Sequence, residues 1–261
     1  MDLGLKAKKV LITGASQGIG EGLAMSFARE GCDLLLVARS ADKLDAISKR
    51  AGAAFGVSTE VLSVDMTAPG AVAQIAGFGR DADVLINNAG NIPGGDLWEV
   101  DEAQWRAGWE LKVFGYINLT RAIYPLMKAR GGGVILNNIG SGGENFDFNY
   151  IAGTTGNAAL MAFTRALGGR SLADNNVRVI GVNPGPVDTD RVRRVLAGHA
   201  QRLHGDPSRY IELLANYPLS RAASVDEIAE LFVYLASDKS TYTSGAIFTV
   251  DGGLTSRRSV G

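Results

Sequence analysis

Thr13-Gly14-Ala15-Ser16-Gln17-Gly18-Ile19-Gly20 is the stretch that decides how this chain folds. An apolar run at residues 10–13 leads into it and a helical segment from about residue 20 to 30 leads out of it, so it reads as strand, glycine turn, helix. Glycine permits the tight turn and lets the backbone approach a pyrophosphate, while the free N–H groups and the dipole of the following helix favour an anion. A lone glycine triplet is a weak signal; a strand before it and a helix after it point to a dinucleotide site. Gly14, Ser16, Gln17, Gly18, Ile19 and Gly20 are therefore expected at the cofactor.

The same alternation continues outward. Strand-like runs fall at residues 34–38, 61–64, 84–87, 134–138, 177–182 and 246–250, with helical patterns at 42–51, 103–130, 157–172 and 225–236. Strand–helix alternation of this kind predicts an α/β fold, a single-domain Rossmann-type doubly wound parallel sheet flanked by helices. The domain is expected to span residues 1–261, a length that α/β folds carry as one unit. The least patterned region, 188–218, is rich in arginine and reads as a substrate lid over the carboxyl edge of the sheet, where ligands bind in such folds.

Composition narrows the function. A net charge of −1 offers no field to recruit nucleic acid or an anionic membrane, so neither is expected as a partner. The longest apolar runs are strand-sized, and the first ten residues hold lysines without an apolar segment before a cleavage site. The single cysteine, Cys32, excludes an intrachain disulfide and a cysteine-based zinc site, and at a strand entrance it reads as a buried, inert thiol. A reducing cytoplasm fits these features. His199 and His204 do not have the spacing of a helical metal pair, and no metal site is expected.

The turn has the spacing Gly-x-x-x-Gly-x-Gly, and further motifs follow in order: Asn87-Asn88-Ala89-Gly90 after the fourth strand, Pro184-Gly185 after the sixth, Asp251-Gly252-Gly253 after the last, and Asp65 with Met66 after the third. In these the chain resembles the short-chain dehydrogenase/reductase superfamily over nearly its whole length. The resemblance implies a nicotinamide cofactor held at the glycine turn, at Asp65 and Met66 near the adenine, at Asn88, Ala89 and Gly90, and at Pro184, Gly185, Val187 and Thr189. NAD-preferring relatives carry an acid at the end of the second strand. Here that end reads Val37-Ala38-Arg39-Ser40, and an arginine favours a 2′-phosphate, so NADP(H) is expected over NAD(H). Gln17 stands where many NADP relatives place a second basic residue.

The resemblance also implies a tyrosine as proton carrier, a serine orienting the carbonyl, a lysine lowering the tyrosine pKa and binding the nicotinamide ribose, and an asparagine holding a relay water. Ser141 matches the serine. The next two matches fail: Gly153 falls at the tyrosine position and Asn157 at the lysine position, while the asparagine position on a neighbouring helix falls on Lys112. Lysine and asparagine are thus exchanged between two facing helices, and Tyr150, one turn before Gly153, would have room to reach in where glycine lacks a Cβ. The reading is a rearranged site, with Tyr150 as proton donor, Lys112 as the charge beside it, Ser141 on the carbonyl and Asn157 at the ribose. The competing reading makes Lys112 a surface lysine and Tyr150 a packing aromatic. Glu144, Asn145 and Asp147 are lesser candidates for an acid or base, and Glu144 would serve a lyase or isomerase.

Arg191, Arg193, Arg194, Arg202 and Arg209 cluster in the lid and raise the prospect of a carboxylate- or phosphate-bearing substrate, against the plainer reading of a solvated helix. Leu160, Met161, Phe163, Leu167 and Leu172 do not share one stripe, so their helix is expected to be buried on more than one side. In the resembling family this helix pairs subunits, which implies a homodimer or homotetramer. Two functions follow: an oxidoreductase on a secondary alcohol or ketone, or a catalytically silent dinucleotide-binding sensor or partner subunit.

Overall fold

The computed structural model describes residues 2–256. In chain order the elements are β1 (Lys9–Thr13), α1 (Gly18–Arg29), β2 (Asp33–Ala38), α2 (Ala41–Phe55), β3 (Thr59–Ser63), α3 (Ala71–Phe78), β4 (Val84–Asn87), α4 (Glu102–Trp109), a π-helical turn (Glu110–Phe114), α5 (Gly115–Ala129), β5 (Gly133–Asn138), α6 (Ile151–Asn175), β6 (Val177–Pro184), α7 (Asp190–His204), α8 (Tyr210–Leu213), α9 (Val225–Ala236) and β7 (Ile247–Val250). The strands form one sheet in the order β3-β2-β1-β4-β5-β6-β7. Every neighbouring pair is parallel, as short strands separated by helical crossovers require.

The alternation of side chains along the central strands builds two apolar layers. Val10, Ile12, Leu34, Leu36, Val84, Ile86, Leu136 and Ile180 pack beneath α1, α2 and α9, through Leu23, Phe27, Leu44, Ile228 and Phe232. Leu11, Leu35, Leu85, Ile135 and Val179 point the other way, onto Ile75 of α3 and Leu119, Ile123 and Met127 of α5. The strand order reverses between β1 and β4, and the crevice beyond their carboxyl ends is where such sheets bind ligands. Cys32 lies buried, its thiol donating to the Leu5 carbonyl at 3.3 Å, and burial pushes its pKa up to about 12.

Several elements differ from the sequence expectation. α3 was not anticipated, because Ala71–Phe78 is short and mostly apolar without a clear period. The helix expected over 103–130 is broken by the π turn. α6 starts at Ile151 rather than near residue 157. The supposedly unpatterned 188–218 region contains a regular helix, α7, with Leu196 and Ala200 buried on one face.

Candidate active site

The glycine turn is shaped by close approaches. Gly14 and Gly18 adopt φ of 65° and 58°, in the left-handed region that favours glycine. A Cβ on Gly20 would lie 2.1 Å from the Gly14 carbonyl oxygen, and one on Gly14 would lie 2.8 Å from the Ala89 Cα. Asn88 braces the turn: its Nδ2 donates to the Thr13 carbonyl at 2.9 Å and the Gly14 carbonyl at 3.2 Å, and its Oδ1 accepts from Asn138 Nδ2 at 2.7 Å. Thr13 Oγ1 accepts from the backbone N–H groups of Asn88 and Ala89. The Asn88 side chain, expected at the cofactor, is thus occupied in holding the loop. Gln17 begins α1 without a side-chain cap, which leaves the first N–H groups of the helix without a capping side chain. A cradle that any Cβ would fill, in front of an uncapped helix N-terminus, fits a pyrophosphate.

At the far end of this crevice Arg39 stands 3.9 Å from Asp65, both side chains well exposed. Hydrogen bonds from the Thr67 backbone and hydroxyl, with the Arg39 charge as a lesser cause, hold the Asp65 carboxyl below its usual range. Sequence reasoning missed Lys43, whose Nζ donates to Gln17 Oε1 at 3.0 Å and so returns a cation to the glycine turn. The available signal was its place four residues beyond Arg39, in the first turn of α2. Thr189 caps α7 and sets its methyl against Gly18, where a Cβ would meet Thr189 Cγ2 at 3.3 Å. Pro184, Val187 and Met66 are buried around the crevice, Val187 in a bridge with Ala223. Ser16 and Ile19 are half-buried on the turn, and Gly90 packs on the stem of Lys112.

The four candidate catalytic residues converge from three segments. The π turn carries Lys112, and such single-turn insertions recur at functional sites. Its ammonium donates to Asn157 Oδ1 at 2.9 Å and also to the Ile139 carbonyl. These two residues are therefore in direct contact, and Lys112 is no solvated surface lysine. Burial, with the nearby Arg191 charge as a second cause, drags its pKa down to about 7. Asn157, itself buried, turns its Nδ2 toward Gly140 and Gly142, next to Ser141, where a short 3₁₀ turn begins.

Tyr150 lies outside the helix it was expected to share with Gly153. It is the residue preceding α6, with φ −138° and ψ 35°. Its ring nevertheless occupies the space of the missing side chain: a Cβ on Gly153 would sit 2.0 Å from Tyr150 Cζ. The ring also lies along Gly142, between Ser141 and Gly143. A second tyrosine is close by, Tyr116, whose hydroxyl donates to the Asn138 carbonyl at 2.9 Å. Burial, then the neighbouring Tyr150, push the Tyr116 phenol up, whereas Tyr150 is half-exposed.

The loop acids do not join this cluster. Glu144 accepts from Asn183 Nδ2 at 3.1 Å and from Thr249 Oγ1 at 2.7 Å, which ties its loop to β6 and β7 and occupies both carboxylate oxygens. Asn145 and Asp147 are exposed, and Asp147 accepts from the Asn149 backbone. Three aromatic side chains near the site, Trp98, Trp109 and Phe148, had no sequence signal. Trp109 Nε1 donates to the Ala152 carbonyl at 2.9 Å and locks α4 onto α6. Trp98 and Phe148, both exposed, meet at 6.2 Å between ring centroids on the two loops that bridge at Gly95 and Tyr150. Arg191 reaches from α7 to the Ile92 carbonyl at 3.0 Å. Among the described residues no group of three or more metal-ligating side chains is found, and no helix is long and apolar enough to cross a membrane.

Known proteins resemble this chain over nearly its whole length. A family model described as enoyl-(acyl carrier protein) reductase matches residues 14–255. The 7alpha-hydroxysteroid dehydrogenase of Escherichia coli (strain K12) is 30% identical over 256 residues, covering 97% of this chain and 96% of the relative. The 3-oxoacyl-[acyl-carrier-protein] reductase FabG of Thermotoga maritima is 31% identical over 258 residues, covering 96% and 98%. The crystal structure of L-sorbose reductase from Gluconobacter frateurii, complexed with NADPH and L-sorbose, superposes with a TM-score of 0.91 at 33% identity, over 99% of this chain and 100% of that one.

Proposed function

We propose, from the premise that this chain belongs to the short-chain dehydrogenase/reductase superfamily, that it is an NADP(H)-dependent oxidoreductase interconverting a ketone and a secondary alcohol through a rearranged active site. The observation that carries this reading is the pairing of Lys112 with Asn157 at 2.9 Å beside a tyrosine ring folded into the space of Gly153. A site that had merely lost its chemistry would have no need to rebuild an ammonium and a phenol from other positions.

The bound nicotinamide would supply or accept the hydride. The residues of the chain do the rest. Ser141 donates to the substrate oxygen and orients it, and the Tyr150 hydroxyl gives that oxygen a proton in reduction or takes one in oxidation. Asn157 holds the Lys112 ammonium in place through its Oδ1 while offering its amide to the ribose. The pyrophosphate would rest on the Gly14–Gly20 turn. Arg39, with Lys43 beyond Gln17, supports the 2′-phosphate of NADP(H), and NAD(H), which lacks that group, binds less well. The 188–218 segment serves as the lid over the substrate. The relatives that match act on a steroid, an acyl thioester and a sugar by name, so a small-molecule substrate is common ground and its identity is not.

The test combines calorimetry of NADPH and NADH binding with a panel of ketones, diketones and acyl thioesters. NADPH is expected to bind more tightly, at least one compound to oxidise it, and Tyr150→Phe to lose about a hundred- to ten-thousand-fold in turnover. Tighter NADH binding would remove the 2′-phosphate assignment, and near-normal turnover in Y150F would remove the proton path. A catalytically silent sensor is the second reading, favoured by Gly153 and Asn157 standing where the family carries tyrosine and lysine. It requires NADPH binding with no turnover across the panel.

A further inference from the structure

Of the five lid arginines, four are accounted for without a ligand or stand apart from the site. Arg193 forms a two-pronged pair with Asp188, at 2.8 and 2.9 Å. Arg209 does the same with Glu212, at 2.7 Å on each oxygen. Arg194 donates to the Asp190 carbonyl at the start of its own helix, and Arg202 is exposed toward the end of α7.

Arg191 behaves differently. Its Nη2 crosses from α7 to the Ile92 carbonyl, two residues past Gly90, and among the described residues it has no carboxylate partner. Ile92 borders the reaction site: it is buried in the apolar cluster against which Tyr150 packs. Gly90 in turn packs on Lys112. The Arg191 charge also acts on Lys112, and among the described residues both side chains donate to neutral oxygens rather than to a carboxylate. Such like-charge proximity is unfavourable until an anion enters, and a guanidinium that spends one N–H group on a carbonyl keeps other donors in a planar fork suited to a carboxylate or phosphate.

We infer that Arg191 is the substrate-recognition residue of this enzyme, and that its substrate is a ketone or alcohol bearing an anionic group, most simply a carboxylate. The inference rests on the oxidoreductase reading above and adds the substrate class to it. The carboxylate meets Arg191 at the lid side of the cleft, while the carbonyl meets Ser141 and Tyr150 at its floor. No bond is made or broken at Arg191.

The test uses the full chain with NADPH and three five-carbon substrates, the 2-, 3- and 4-oxopentanoates, each compared with its methyl ester. For the oxo acid whose spacing fits, kcat/KM is expected to exceed that of its ester by tenfold or more. Arg191→Met should bring that ratio close to one, chiefly by raising KM for the acid, and Arg191→Lys should restore part of it. Binding is followed independently of turnover by ¹³C NMR of lysine-labelled protein without cofactor. Adding the same oxo acids to the wild type should move the Lys112 titration upward, and in R191M it should not. An acid-to-ester ratio near one in the wild type, or a ratio unchanged in R191M, overturns the inference and leaves the oxidoreductase reading standing. If no compound is reduced but the acid-dependent NMR shift is present and lost in R191M, the anion site holds and the redox reading fails. If R191M weakens NADPH binding and the acid-to-ester ratio is retained, the guanidinium serves the cofactor and the inference is overturned.

Discussion

Gly153 is the residue on which the proposed rearranged site turns. The Tyr150 ring fills the volume that any side chain there would take. Gly153→Ala should expel the phenol while adding a good helix former in the first turn of α6, a gain of up to about 1 kcal/mol. The expected signature is therefore a split: a fall in turnover of about a hundredfold or more, comparable with Y150F, and a thermal midpoint unchanged or raised. Steady-state kinetics beside a melting curve check it, and the double variant should lose no more than either single one, since both remove the same group. Normal turnover in G153A would show that the ring position is incidental. The nearness of Lys112 to Asn157 and the room at Gly153 for the Tyr150 ring were legible in the sequence, because a glycine announces a missing side chain. The ring's path from a non-helical residue was not, since it depends on the φ and ψ of Tyr150 and on a loop that bridges to Gly95. Lys43 was also hidden as a site residue, and nothing in the sequence singled out Arg191 among the lid arginines: long side chains reach positions that spacing along the chain does not report.

The helices and strands show a similar division. Strands buried on both faces announce themselves as continuous apolar runs, and β1, β2, β4, β5 and β6 lie within a residue or two of where the pattern puts them. The π turn at Glu110–Phe114 left no trace, since inserting one extra residue into a helix changes no propensity, yet it is what carries Lys112. The apolar signal of α7 is confined to Val192, Leu196 and Ala200, four residues apart, and is diluted by the arginines between them. One helix end has an unusual support. Arg178 on β6, a buried guanidinium, donates to the carbonyls of Leu235, Ala236 and Ser237 at the carboxyl end of α9. A cation at that end suits the helix dipole, and it supplies donors that water cannot. Arg178→Met should strand those carbonyls and cost on the order of 2–4 kcal/mol, read as a lower urea midpoint. Turnover well below the melting temperature should persist, because no atom of Arg178 belongs to the cleft. An unchanged urea midpoint would show that the cap contributes nothing.

Assembly was expected from an α6 apolar on several sides. The structure refines that picture: Leu160 and Met161 are buried, Phe163, Leu167 and Leu172 are half-buried, and the outward face carries Ala159, Ala162, Ala166, Gly169 and Ala173. A long helix with so flat and small a face lets a symmetry mate approach closely, so we propose that α6 lies at a twofold interface. Sedimentation is expected to give a dimer or tetramer, and Ala166→Glu to shift it toward monomer. A monomeric wild type at micromolar concentration would end that proposal.

The strand order has one more consequence, and it concerns time. β1 is the first strand to leave the ribosome, yet it finishes in the middle of the sheet, with β2 on one side and β4 on the other. Until residues 84–87 have been synthesised, one edge of β1 has no neighbour, and the Asn88 brace that fixes the phosphate-binding turn does not yet exist. A nascent chain of this protein thus carries its nucleotide signature long before it can hold a nucleotide, and during that interval the bare edge is open to proteases and to other chains.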